Sequence, residues 1–179
     1  MMNWQSHPPI CYKGKKFGQK DLEFAKFIAL PSLIKHPVEV SVSGKEIPFD
    51  MLRENKWLIN DAQKVTVSFD SFRTYLTSCR GEFSVCKNVF VENNTGWFSD
   101  KSAAYLACGR PVILQDTGFS KHLPVGLGLF AVNNAEEAKE AILKIEEDYE
   151  FHSTKAREIA CDYFEASDTM KVFLSKLGM

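Results

Sequence analysis

Residues 95–118 read Thr-Gly-Trp-Phe-Ser-Asp-Lys-Ser-Ala-Ala-Tyr-Leu-Ala-Cys-Gly-Arg-Pro-Val-Ile-Leu-Gln-Asp-Thr-Gly. They constrain the fold more than any other stretch. The pattern is a loop, a short helix of small residues, a glycine stop, an apolar strand and a second glycine loop. Ser99 or Asp100 is placed to cap the helix, with Ala103, Leu106 and Ala107 inward. Gly109 suits the left-handed position just past its end. Val112-Ile113-Leu114 is a continuous apolar run, as expected for a parallel strand covered on both faces. Helix N-termini and the loops at strand C-ends are where α/β proteins hold anions.

Before this stretch, helical and strand patterns alternate. Ser6 to Gly18 holds two prolines, two glycines and three lysines and reads as a loop with Lys15, Lys16 and Lys20 clustered around its end. Asp21 to Ser32 reads as a helix with Leu22, Phe24, Phe27 and Ile28 on a broad apolar face. Val38 to Val42 alternates as a strand does. Pro48 opens a short helix, and a strand follows near Lys56 to Ile59. Asp70 or Ser71 caps a helix running to Ser78. Glu82 to Cys86 reads as a strand, and the polar residues 87–96 as a loop with a strand-like piece at Val89 to Val91. Glu82 and Lys87, at the two ends of the strand, suggest a surface ion pair. After the second glycine loop comes a strand at Leu129 to Val132.

The last third predicts three helices. Their stripes are Ala138, Ala141, Ile142 and Ile145; then Ala156, Ile159, Ala160 and Tyr163; then Met170, Phe173, Leu174 and Leu177, the last helix capped near Ser167. All three stripes are assigned to the core. The alternation predicts an α/β protein with a doubly wound parallel sheet and a C-terminal helical tail. That topology gathers the loops after successive strands along one sheet edge.

The chain has 179 residues, enough for one domain with a full core. A net charge of −1 gives no basic field for nucleic acid. The five cysteines are scattered, with no C-x-x-C pair, and the four histidines lack metal-ligand spacing. Reduced thiols in the cytoplasm are the expected setting, with no metal and no cofactor. No apolar run reaches transmembrane length.

At Ala107-Cys108-Gly109-Arg110-Pro111-Val112-Ile113 the chain resembles the donor-binding, C-terminal half of GT-B glycosyltransferases. The resemblance extends to Asn3-Trp4, Gly18 to Phe24, Gly81 to Val85, Gly96 to Ser99, Gln115 to Ser120 and Leu123-Pro124, which look like a group of bacterial glycosyltransferase-like proteins. It implies a Rossmann-like domain spanning 1–179 that binds a nucleotide-diphosphate sugar. The acceptor-binding N-terminal domain is expected to be absent from the chain. The commonest retaining members carry donor-site glutamates at positions that fall here on Gly96 and Ala104, so no catalytic residue is assigned. Asp100 is the nearest carboxylate. Their Arg-x4-Lys phosphate pair corresponds in spacing to Lys15-x4-Lys20.

The candidate ligand contacts are therefore Lys15, Lys20, Trp97, Ser99, Asp100, Ser102, Asp116, Thr117 and Gly118. Lysines would neutralise phosphate, and backbone N–H groups at Ser99 to Ser102 and Gly118 would hold it. Complete transfer would need a separately encoded acceptor domain or a second subunit. The rival expectation is an inactive interaction module that self-associates through the surface a second domain would have covered.

Overall fold

The computed structural model describes residues 1–178. Strand β1 (Met2–Asn3) leads into a hairpin of β2 (Ile10–Tyr12) and β3 (Lys15–Phe17). Helix α1 (Lys20–Phe24), a 3-10 turn at Ala25–Phe27 and α2 (Leu30–Leu33) precede β4 (Glu39–Ser43). Then come α3 (Phe49–Glu54), β5 (Leu58–Asp61), α4 (Ala62–Val65) and α5 (Phe69–Ser78). The next unit is β6 (Glu82–Ser84), α6 (Asn88–Glu92), α7 (Asp100–Ala107) and β7 (Val112–Gln115). A 3-10 turn at Phe119–Lys121 and β8 (Leu129–Val132) lead to α8 (Ala135–Glu147), α9 (Tyr149–Phe164) and α10 (Ala166–Lys176).

The strands form two three-stranded parallel sheets, ordered β1-β4-β5 and β6-β7-β8, beside the separate antiparallel hairpin. The protein is thus α/β, built on parallel sheets that need helical crossovers. Alternation along the strands explains the covering of β6-β7-β8. Val112, Leu114 and Leu129 pack toward α7 and α9, whereas Ile113, Phe130 and Val132 pack toward α8. Each fully buried Leu or Val contributes about 1.5–3 kcal/mol. The second of these layers also holds Met2, Trp4, Val40 and Val42, so β1 and β4 share one apolar cluster with the other sheet. Among the described residues no helix is long and apolar enough to cross a membrane.

Several expectations are corrected. The loop at Ser6 to Gly18 contains the β2–β3 hairpin, whose two-residue turn, Lys13-Gly14, has both φ positive (49° and 76°). That geometry matches the twist of the paired strands. The helix expected over Asp21 to Ser32 is broken into α1, the 3-10 turn and α2; Pro31 lies in the first turn of α2 and has no N–H to donate back toward Phe27. Its inward face carries Glu23, while Leu22 is exposed. Ser68, not Asp70 or Ser71, caps α5, in a reciprocal capping box with Ser71. Val89 to Val91 belongs to a helix, α6. On α7 the inward residues are Ser102, Tyr105 and Leu106, with Ala107 exposed. The α10 cap does fall near Ser167, at Glu165, whose side chain accepts from the Ser167 N–H.

The third C-terminal stripe is not core. No residue of α10 is buried, and Met170, Phe173 and Leu177 are more than half exposed. The periodicity is that of an amphipathic helix, but α10 runs beyond the sheets and finds no surface to pack on. Tyr163 near the end of α9 is also exposed.

Candidate phosphate-binding rim

Three loops at the C-terminal ends of the strands are stitched into one rim. Gly18 donates its N–H to Asn88 Oδ1 at 3.0 Å, and Asn88 donates its own N–H to the Gln19 carbonyl at 3.2 Å. The start of α1 is thereby fixed against the residues after β6. On the other side, Gly96 N–H donates to the Thr117 carbonyl at 2.8 Å, and Thr117 Oγ1 donates to the Trp97 carbonyl at 2.6 Å. These bonds lock the loop before α7 to the loop after β7.

Beneath the rim lies a buried polar network centred on Glu23. Its carboxylate accepts from Asn88 Nδ2 at 2.7 Å, from Gln115 Nε2, and from Lys26 Nζ at 2.7 Å. Gln115 Oε1 in turn accepts from the Cys86 N–H at 3.1 Å. The network ties α1 to the ends of β6 and β7 and satisfies groups that would be costly to bury alone. Burial pushes the Cys86 thiol up to about 11, partly opposed by Lys20, so this cysteine is an inert structural thiol.

Lys20, the first residue of α1, is half-buried, and among the described residues no carboxylate pairs with it. Burial pulls its ammonium pKa down; nearby Cys86 opposes the shift and Lys87 adds to it. Its charge also reaches Lys101 on α7, whose pKa is lowered by burial first and by Lys20 second. Lys101 itself is held in a buried ion pair with Glu82 and lies 3.2 Å from Ser84 Oγ. Glu82 is therefore not in a surface pair with Lys87, as its position at the end of a strand suggested. Its partner sits on a helix 19 positions along the chain, and the pair is enclosed between α7 and β6.

The remaining candidates fall into distinct environments. Lys15 is on the exposed hairpin and pairs with Glu92 at 2.9 Å, so the Lys15-x4-Lys20 spacing joins residues in unlike settings. Ser99 occupies the N-cap of α7, but its side chain makes no capping bond, leaving the first-turn amides without the usual side-chain acceptor. Asp100 is exposed at that helix start. Ser102 is fully buried and its Oγ has no hydrogen-bond partner, so only its backbone can serve a ligand at the rim. Trp97 is 45% exposed and stacks on Phe90 at 4.9 Å.

Asp116, Thr117 and Gly118 shape their own loop. Asp116 accepts from Gly118 N–H at 2.8 Å and from Ser120 Oγ at 2.6 Å. Gly118 has φ +91°, and a Cβ there would lie 3.2 Å from the Asn94 carbonyl oxygen. Its N–H is thus already engaged, and the glycine serves a close loop contact. Glu23, Asn88 and Gln115 were missed from the sequence. A carboxylate in the fourth position of a five-residue helix gives no sign that its partners lie 65 and 92 residues away. Among the described residues no three histidine, cysteine or acidic side chains gather closely enough to hold a metal ion.

The chain matches no family model, and no curated protein or solved structure is detectably similar to it. What the fold and the rim define is an α/β protein with parallel sheets and, among the described residues, a half-buried lysine without a carboxylate partner at the start of α1.

Proposed function

We propose that the rim binds the diphosphate of a nucleotide or nucleotide sugar, as the donor side of a glycosyltransferase-like assembly completed by a separate acceptor domain. The observation that carries this reading is Lys20. A half-buried ammonium without a counter-charge gains stability when an anion neutralises it. The uncapped first turn of α7 adds free amides and a favourable dipole nearby. Trp97, with one face on Phe90, offers its exposed side to a base or sugar. Asp100 stands at the helix start, where it can hydrogen-bond a ribose or sugar hydroxyl. The reading also takes the two parallel sheets as halves of one doubly wound sheet, β5-β4-β1-β6-β7-β8, interrupted between β1 and β6.

Calorimetric titration with UDP, GDP and ADP tests it. The expected result is binding by at least one nucleotide at sub-millimolar to millimolar concentration, with at least tenfold loss in Lys20→Met and weakening in Asp100→Ala. Absence of heat with all three at millimolar concentration would refute it.

A second reading, a self-associating interaction module without a working site, is favoured by α10 alone. Its exposed Met170, Phe173 and Leu177 form an apolar stripe that a second copy could cover.

A further inference from the structure

The β2–β3 hairpin forms an arm standing out from the sheets beside the rim. Every residue from Ser6 to Lys16 is exposed, all of β2 included. The arm is held at its root, where Phe17 is buried and Gly18 N–H donates to Asn88 Oδ1 at 3.0 Å. Its other tie is the exposed Lys15–Glu92 pair. A two-stranded ribbon with so little buried surface is marginal in water by itself.

The arm carries two kinds of chemistry. The register pairs Ile10 with Phe17 and Tyr12 with Lys15, so these four share one face of the ribbon, and Cys11 and Lys16 share the other. The body covers Phe17 but leaves Ile10 53% and Tyr12 62% exposed. Lys13, in the turn, holds its ammonium 5.4 Å from the centre of the Tyr12 ring. Among the described residues no carboxylate pairs with Lys13 or Lys16. Residues 1–20 contain four lysines and no aspartate or glutamate. The whole chain carries −1, so residues 21–179 carry −5. Positive charge is thus gathered on the arm and its root, on an otherwise acidic protein.

We infer that the β2–β3 arm docks on an anionic lipid surface, with Lys13 and Lys16 at headgroup phosphates and Ile10 and Tyr12 in the layer between headgroups and acyl chains. Charge and apolar content together select this occupant. A soluble polyanion, nucleic acid included, would match the lysines but leave Ile10 in water. An apolar pocket on another protein would cover Ile10 and Tyr12 but strip water from the ammoniums beside them. A headgroup layer receives both, because tyrosine rings sit at that depth and lysine stems lie along apolar surface while their heads stay wet. Projection matters too. Attraction to a charged surface fades within a Debye length, so an outstanding arm feels it before the acidic remainder opposes it. Lys20 follows β3 by three residues, so docking brings the rim to the lipid surface. The inference does not rest on nucleotide binding there.

The test is flotation of the whole protein with unilamellar vesicles, either of phosphatidylcholine alone or of phosphatidylcholine and phosphatidylglycerol in equal parts. The expected result is binding to the mixed vesicles at low salt, weakened roughly tenfold or more when Lys13→Gln and Lys16→Gln are combined. Lys13→Arg with Lys16→Arg should retain it. Ile10→Ser with Tyr12→Ser should also weaken binding roughly tenfold, at unchanged charge. All four side chains are exposed, so the urea midpoints of these variants should equal that of the wild type, which separates lost binding from lost fold. Wild-type protein that stays with the soluble fraction overturns the inference. So does flotation that the glutamine pair leaves unchanged, or that the arginine pair abolishes. Binding that ignores the serine pair and is competed away by single-stranded DNA would make the arm a polyanion site, and overturns it equally.

Discussion

Glu23 and Gln115 are 92 positions apart in the chain and meet in a buried hydrogen bond, Gln115 Nε2 donating to Glu23 Oε2. Through it the start of α1 is anchored to the end of β7, and with Asn88 the bond sets where Lys20 stands. Replacing Glu23 by alanine would leave the Asn88 and Gln115 amides buried without acceptors. We expect a loss of about 3 kcal/mol in urea unfolding. A loss below about 1 kcal/mol would show that the network does not hold the rim.

Gly128 makes a comparable test of packing. It has φ +75°, and a Cβ there would lie 2.4 Å from the backbone nitrogen of Ala156 in α9. No side-chain rotation relieves a contact with helix backbone. Gly128→Ala should destabilise the fold by about 2–5 kcal/mol, from left-handed strain plus displacement of α9. A melting temperature equal to wild type would contradict that close approach.

The elements legible in the sequence were those whose cause is local. Val112 to Leu114 is apolar throughout because both faces are covered, and Gly109 does adopt a left-handed conformation (φ 64°) where α7 ends. The β2–β3 hairpin was hidden because its strands are three residues each and carry lysines on an exposed ribbon. Its one local signal was Gly14 in a two-residue turn. The α10 stripe was legible, but periodicity reports an apolar face and not what covers it. At the site, Lys20 was visible as a charge before a helix. Its lowered pKa was not, because that depends on partial burial and on Cys86 and Lys87, which the fold brings to it from the residues after β6.

Acid stability follows from Glu146. Arg80 donates to it from Nε at 2.7 Å and from a terminal nitrogen at 3.0 Å, and this bonding holds the Glu146 carboxyl below the usual glutamate range. A depressed carboxylate pKa contributes stability above the unfolded value of about 4.3, and the contribution is lost as pH falls through the folded value. Glu146→Gln should therefore cost about 0.5–1 kcal/mol at neutral pH and nothing near pH ~2–3, since the pair is partly solvated. Urea midpoints measured across pH would show the two proteins converging in acid; a constant difference would contradict the assignment.

Because α10 buries none of its residues, deleting residues 166–179 should change unfolding stability by less than about 1 kcal/mol. Self-association through the exposed Met170, Phe173 and Leu177 stripe would show in sedimentation as a dimer that this deletion abolishes. A monomer at all concentrations in the full chain would remove the interaction-module reading.

The proposed binding of a nucleotide diphosphate at the rim is tested most directly by NMR of the amide groups during titration with UDP, GDP and ADP. The account predicts that at least one nucleotide shifts the amides of Lys20, Lys101 and Ser102, saturably, and that Lys20→Met suppresses the shifts. Titrations that leave these three amides unmoved would contradict it.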